Sequence, residues 1–276
     1  MRKTFILTAA AVLALGMGAA QAGAPNLVQN GGFEINGGVG QIPTVSSLAS
    51  WTVGATTDSA PNPFTFVLDA NADSTGFNSP YGTIRVWGPN TPVGTSSGPG
   101  SNPNPHATGP VANGFSGSPD GGYFFGADAA YADAPISQTI NGLTVGNQYT
   151  LRFSYAGAQF TDALGPNQEG WNVTFGGDSA STSTLNNASE GFTGWNTFSQ
   201  TFTASSSSQL LSFLATGGPS GLPPFALLDG VSLTDNTPPP PPPPVPEPAA
   251  WAMMIVGMGA MGAIIRRRRA GAVAAA

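Results

Sequence analysis

Apolar residues recur at every second position through much of the middle of this chain. In Tyr149–Ala156, Leu151, Phe153 and Tyr155 share one parity, and Thr150, Arg152 and Ser154 hold the other. Phe198 and Phe202 stand against Thr197, Ser199 and Thr201 in the same way, although Gln200 shares the apolar parity. A period of two is the signature of a strand with one face buried. Further strands are predicted at Ala49–Val53, Phe64–Leu68, Thr83–Trp87, Gly122–Ala127 and Ile136–Ile140. Trp171–Phe175, Trp195–Thr203, Gln209–Ala215 and Phe225–Thr234 complete the set, and Asn26–Glu34 reads as a short strand broken by an Asn-Gly-Gly turn. Gly, Asn and Pro separate these runs, which predicts antiparallel sheets with one wet face. Gly88–Asp120, rich in Gly, Pro, Ser and Asn, reads as an extended surface loop. The predicted fold is all-β: an antiparallel β-sandwich of jelly-roll type.

The two ends follow a different pattern. Arg2 and Lys3 precede an apolar run from Phe5 to Ala20, and Ala20-Gln21-Ala22 supplies a small-x-small cleavage site. Residues 1–22 therefore read as a secretory signal peptide with a helical apolar core, and residues 23–236 as the exported body. A proline-rich linker follows over 237–245. The seven prolines Pro238–Pro244 are expected to form a polyproline rod of about 20 Å. Ala249–Ile265 is then apolar for 17 residues and is stopped by Arg266, Arg267, Arg268 and Arg269. That order predicts a single C-terminal transmembrane helix over 249–265, with the arginines and a short tail, 271–276, on the cytoplasmic side.

Setting the ends aside changes the charge. The whole chain carries −6, but its body holds only Arg85 and Arg152 against thirteen acids, a net of −11. A lysine-free acidic body has no basic footprint for phosphate backbones, which excludes nucleic acid as an expected partner. With no cysteine there are no disulfides, so the fold of an exported body depends on core burial, with a metal as a possible aid.

Two stretches carry resemblances. Pro246-Glu247-Pro248-Ala249-Ala250-Trp251-Ala252, followed by the apolar run and Arg266–Arg269, resembles a PEP-CTERM sorting signal over residues 246–270. That resemblance implies export across the inner membrane of a Gram-negative bacterium and transient anchoring in the membrane. It also implies processing near Pro246-Glu247-Pro248 by an exosortase-type membrane protease, and a destination at the cell surface or in an exopolysaccharide-rich biofilm matrix. In the body, Asn30-Gly31-Gly32-Phe33-Glu34 and Leu228-Asp229-Gly230-Val231-Ser232-Leu233 resemble the bracketing strands of jelly-roll carbohydrate-binding modules. Ile136–Ile140 followed by Gly146–Leu151 fits the same pattern. In such domains the two bracketing motifs often contribute to a structural calcium site.

Asp229 is the most informative acid. On a regular strand it shares parity with Phe225, Leu227, Val231 and Leu233 and turns inward. A buried carboxylate then needs a cation, hydrogen bonds or a bulge that rotates it outward. Glu34, with backbone carbonyls near Asn30–Gly32, would complete an all-oxygen Ca²⁺ site with Asp229. A hydrogen-bonded acid without metal is the alternative. Among the aromatics Trp51, Trp87, Trp171, Trp195, Tyr81, Tyr123 and Tyr131, the pair Trp87 and Trp171 lies beside long loops and is expected to be exposed for polysaccharide stacking. His106, the sole histidine, sits in a Pro-rich loop without a partner acid and reads as solvated. The expected role is therefore structural or adhesive, without catalysis. The alternative is a carbohydrate-active enzyme using Glu169 and Glu190 as paired loop carboxylates.

Overall fold

The computed structural model describes residues 24–94, 96–97, 103–104, 108–161, 163–237 and 248–273. The chain divides into two compact units, Met1–Asn236 and Thr237–Ala276. In the first unit the strands are β1 (Gly40–Ile42), β2 (Thr52–Val53), β3 (Thr65–Asp69), β4 (Phe77–Ser79) and β5 (Gly82–Ile84). Then follow β6 (Ser96–Ser97), β7 (Pro103–Asn104), β8 (Tyr123–Asp128), β9 (Ile136–Asn141), β10 (Gln148–Gln159) and β11 (Asn167–Phe175). The last are β12 (Asp178–Ser181), β13 (Leu185–Asn187), β14 (Asn196–Thr203), β15 (Ser208–Gly218) and β16 (Pro224–Asp235).

The first sheet runs β1-β3-β8-β16-β10-β14 and the second β12-β11-β15-β9-β2, with β13 also paired to β11. All pairings in both are antiparallel. From β8 to β11, and again from β14 to β16, consecutive strands alternate between the sheets, as a jelly roll requires. The predicted β-sandwich is the observed one. Asn26–Glu34, however, is not a strand. It runs irregularly beside β16, where the Leu27 N–H donates to the Leu233 carbonyl at 2.9 Å.

The expectation of one wet face fails for the centre of the first sheet. Val67, Phe125, Ala127, Ala226 and Leu228 point into the core between the sheets. Their neighbours Phe66, Leu68, Phe124, Phe225 and Leu227 point the other way and are just as buried, in a second core. The near-continuous apolar runs Thr65–Asp69 and Pro224–Leu228 are the sequence form of a sheet covered on both faces. The cover comes from the β4–β5 hairpin, Val86, Phe115 and Phe160. Phe160 and Phe225 lie 4.3 Å apart between ring centroids, and Phe66 and Phe77 lie 4.7 Å apart. The Gly88–Asp120 segment is thus more than a surface loop, since its Phe115 is buried there. Along β10 the change is visible in one strand: alternation holds as far as Tyr155, and Ala156–Gln159 are then all buried.

A bulge divides β16. Arg152 pairs with Ser232 and Ser154 with Asp229, so two steps along β10 face three along β16. Gly230, at φ +60°, takes the extra residue in the left-handed region that suits glycine. Val231 and Leu233 consequently face the core between the sheets, while Phe225 and Leu227 face the outer core. Asp229 precedes the bulge and keeps the parity of Phe225 and Leu227. It does not share a face with Val231 and Leu233 as a regular strand would have it.

In the second unit, α1 spans Pro248–Val273 and carries Arg266–Arg269 within it. Trp251, Met253, Met254, Ile255, Val256, Met258, Met261, Ile264 and Ile265 are exposed on all sides of it. Among the described residues, no helix is long and apolar enough to cross a membrane. The expected transmembrane helix over 249–265 is corrected accordingly. Its 17 apolar residues rise about 26 Å, less than the roughly 30 Å hydrocarbon thickness, before Arg266 ends the run. The signal peptide with Ala20 and Ala22, the proline rod, Pro246, Glu247 and His106 lie outside the described residues.

Candidate functional site

The start and end of the body meet at the bulge, and acids gather there. The Val231 N–H donates to the Gly31 carbonyl at 2.9 Å, joining the Asn30–Gly32 turn to β16. Asp229 is fully buried, and neither carboxylate oxygen takes part in a hydrogen bond of good geometry. Burial pushes its carboxyl up to about 7. The nearby Ser118 hydroxyl and Gly230 N–H pull it down by less, and the charges of Asp120 and Glu34 raise it further. Glu34 is exposed at the rim and accepts the Tyr123 N–H at 2.8 Å. The Asp120 carboxylate lies over Gly32, where an added Cβ would come within 2.9 Å of its Oδ2.

Glu34 and Asp229, predicted from sequence as a pair, are therefore close enough for their charges to interact. Asp120 is the residue that sequence reasoning missed, because the stretch ending there read as loop. Its mark is Asp120-Gly121-Gly122, a tight turn directly before β8. The donor set is all oxygen, with two orphaned buried oxygens on Asp229, and so fits a hard cation such as Ca²⁺. Among the described residues, no three acidic or histidine side chains surround one point closely enough to hold a metal alone. Backbone carbonyls and water would have to complete the shell.

The aromatics distribute against expectation. Trp87 and Trp171, the expected sugar-stacking pair, are buried at 0% and 1% exposure. Each indole N–H finds a backbone acceptor, Ala163 at 3.2 Å and Leu227 at 3.0 Å respectively, which lets the ring enter the interior without an orphaned donor. Both are structural, and neither is available to a ligand. Trp51 is buried likewise, donating to the Asn30 carbonyl at 2.9 Å. Tyr131 is instead the one aromatic of the described body that counts as exposed, at 46%. Phe64 braces it edge-on with centroids 5.6 Å apart. Its phenol is raised by burial of its base and by Tyr81, Asp58 and Asp128 nearby. Asp58 is held low by the N–H groups of Ala60 and Ala132. Asp133 is pushed up to about 7 by burial, against the N–H of Ala134, with a further rise from Asp58.

Glu169 and Glu190, the carboxylates of the enzymatic alternative, are not brought into one groove. Glu169 lies on β11 with no exposed surface, and burial raises it to about 8, with no contribution from Glu190. Glu190 occupies a left-handed turn at φ 60° whose N–H donates to Gln159 Oε1 at 2.7 Å.

Residues 244–269 match the family model of the PEP-CTERM protein-sorting motif. The motif indicates export and sorting by exosortase in bacteria. No curated protein sequence matches the chain. Among solved structures, TmCBM61 in complex with β-1,4-galactotriose is similar at 14% identity, covering 77% of this chain and 100% of its own, with a TM-score of 0.38. The CBM22-1 xylan-binding domain from Paenibacillus barcinonensis Xyn10C is similar at 11% identity, covering 78% and 97%, with a TM-score of 0.31. A CBM4 structure is similar at 17% identity, covering 75% and 99%, with a TM-score of 0.29.

The raised acids set a pH dependence. Asp133 and Asp229 near 7 and Glu169 near 8 all stand above their ordinary values of 3.8 and 4.5. Between those limits the folded protein binds more protons than the unfolded chain, so its stability falls as pH rises. In chelator, the melting temperature is expected to decline from about pH 5 to pH 8, and Asp229→Asn should flatten that decline. A melting temperature that rises over this range contradicts these burial states.

Proposed function

We propose that this is an exported, non-catalytic β-sandwich protein that binds a neutral or acid-tolerant polysaccharide at the cell surface or in the extracellular matrix. The observation that carries the binding reading is Tyr131. It is a braced, half-exposed aromatic face bordered by Tyr81 and by the carboxylate of Asp58, which is positioned by two backbone N–H groups. A ring of this kind stacks against the apolar face of a sugar, and neighbouring carboxylates accept its hydroxyl groups. A strongly acidic body repels polyanions, which favours uncharged chains over sulfated or heavily uronic ones.

The Glu34, Asp120 and Asp229 corner serves as a structural Ca²⁺ site in this reading. The cation would supply the missing positive charge beneath the rim, held by Asp229 with backbone carbonyls and water completing the shell and with Glu34 and Asp120 nearby. Asp229 would bind deepest, and Glu34 would tie the Asn30–Glu34 turn to β8 through its bond to Tyr123. In the tail, Pro246, Glu247 and Pro248 form the processing element and Trp251 and Ala252 its recognition neighbours. Arg266, Arg267, Arg268 and Arg269 form the basic run that closes the sorting motif. Ala20 and Ala22 flank the signal-peptide cut.

Affinity electrophoresis of the full chain through gels carrying neutral polysaccharides tests the binding. Tyr131→Ala is expected to weaken retention about tenfold, the equivalent of about 1.4 kcal/mol, with the fold unchanged by circular dichroism. Retention equal to that of the unaltered protein removes Tyr131 from the site. For sorting, mass spectrometry of surface-released protein is expected to find a C-terminus near Pro246–Pro248. An intact C-terminus that includes Arg269 contradicts processing.

A further inference from the structure

A second set of orphaned oxygens lies in the other sheet. Asn167 and Glu169 share the inward parity of β11, and Asn187 on β13 pairs directly with Asn167. The three are 2%, 0% and 3% exposed. Asn167 Nδ2 donates to the Leu222 and Pro223 carbonyls at 3.4 and 3.2 Å, and Asn187 Nδ2 donates to the Gly191 carbonyl at 3.3 Å. Asn167's amide is thereby turned with its oxygen free, while Asn187 also reaches towards Glu169, whose carboxyl its side-chain hydrogen bond lowers. Asn167 Oδ1, Asn187 Oδ1 and both Glu169 carboxylate oxygens take part in no hydrogen bond of good geometry. Across the sandwich, Gly157 of β10 makes the space: a Cβ there would run into the Glu169 carboxylate.

Four buried acceptors with one poorly placed donor between them, Asn187, favour something positive in their midst. The body's two arginines are engaged elsewhere, Arg85 Nε with the Ser74 carbonyl at 2.8 Å and Arg152 Nε with Ser199 Oγ at 3.4 Å. A proton on Glu169 that is donated to one amide oxygen satisfies two of the four oxygens and leaves two without a donor. A hard divalent cation satisfies all four together, and neutral amide oxygens beside one carboxylate are ligands that Ca²⁺ accepts within its roughly 6–8 oxygen shell. Asn167 and Asn187 also line an open cleft of about 440 Å³ with Gln168 and Asn186.

We propose that Glu169, Asn167 and Asn187 form a second divalent-cation site, distinct from the Asp229 corner, that takes Ca²⁺ and fastens β13 to β11. The remaining coordination positions face the cleft and are filled by water or by a polar ligand.

Equilibrium dialysis of the full chain against radioactive calcium tests this by counting ions. Two bound ions are expected for the unaltered protein, with one lost in Glu169→Gln and a different one lost in Asp229→Asn. If the Asp229 corner holds no ion, the unaltered protein binds one ion that survives Asp229→Asn and vanishes in Glu169→Gln, so the two sites fail independently. Asn187→Ala, which keeps the carboxylate, is expected to weaken one ion about tenfold and leave the other unchanged. An ion count equal to the unaltered protein's in Glu169→Gln, with higher melting temperature in chelator, means that a proton alone occupies the site and overturns the proposal. Unaltered affinity in Asn187→Ala overturns it as well.

Discussion

Burying carboxylates without cationic partners is the constraint on which much else in this body depends. Asp229 and Glu169 are both fully buried, one in each sheet, in a body that holds two arginines and no lysine. An ionised carboxylate taken out of water costs several kcal/mol unless it is paired. Chain geometry keeps both acids inside: Asp229 between the outer core and the Gly230 bulge, Glu169 between Trp171 and Asn167 on a central stretch of β11. Protonation relieves that cost, and the proposed cations would relieve it in another way.

The outer core explains how Asp229 comes to be buried at all. In a sandwich with one wet face, the side of β16 that carries Phe225, Leu227 and Asp229 would be open. Here the β4–β5 hairpin, Phe115 and Phe160 cover it. That cover also occupies the outer face of the first sheet, so a broad sheet-face groove is closed over β3, β8 and the first half of β16. Exposed aromatic surface is displaced to the edge of this cover, where Tyr131 stands on Phe64.

Much of the architecture was legible in the sequence because strand period and turn residues are local signals. β8, β9, β10, β14, β15 and β16 fall close to where alternation or apolar runs placed them. The short strands β12 and β13 were not legible, since Asp178–Ser181 and Leu185–Asn187 are polar and gain their pairing only from β11. Asp229 stood out because an acid interrupted an apolar parity, but the bulge that sets its face depends on register against β10, a non-local fact. Asp120 was hidden for the same reason. Trp87 and Trp171 were misread because loop proximity in sequence says nothing about which backbone carbonyl an indole N–H will meet. The tail motif read most clearly of all: its elements are contiguous, and it needs no fold to be recognised.

On the proposals above, a bound cation sets the charge state of the buried carboxylates Asp229 and Glu169. Carboxyl ¹³C chemical shifts of the two residues, followed by NMR across pH with chelator and then with calcium, test it most directly. In chelator both should titrate near neutrality, about 7 for Asp229 and about 8 for Glu169, and with calcium both should stay ionised well below those values. Titration of both residues in the ordinary carboxylate range in chelator, with no response to calcium, would contradict it.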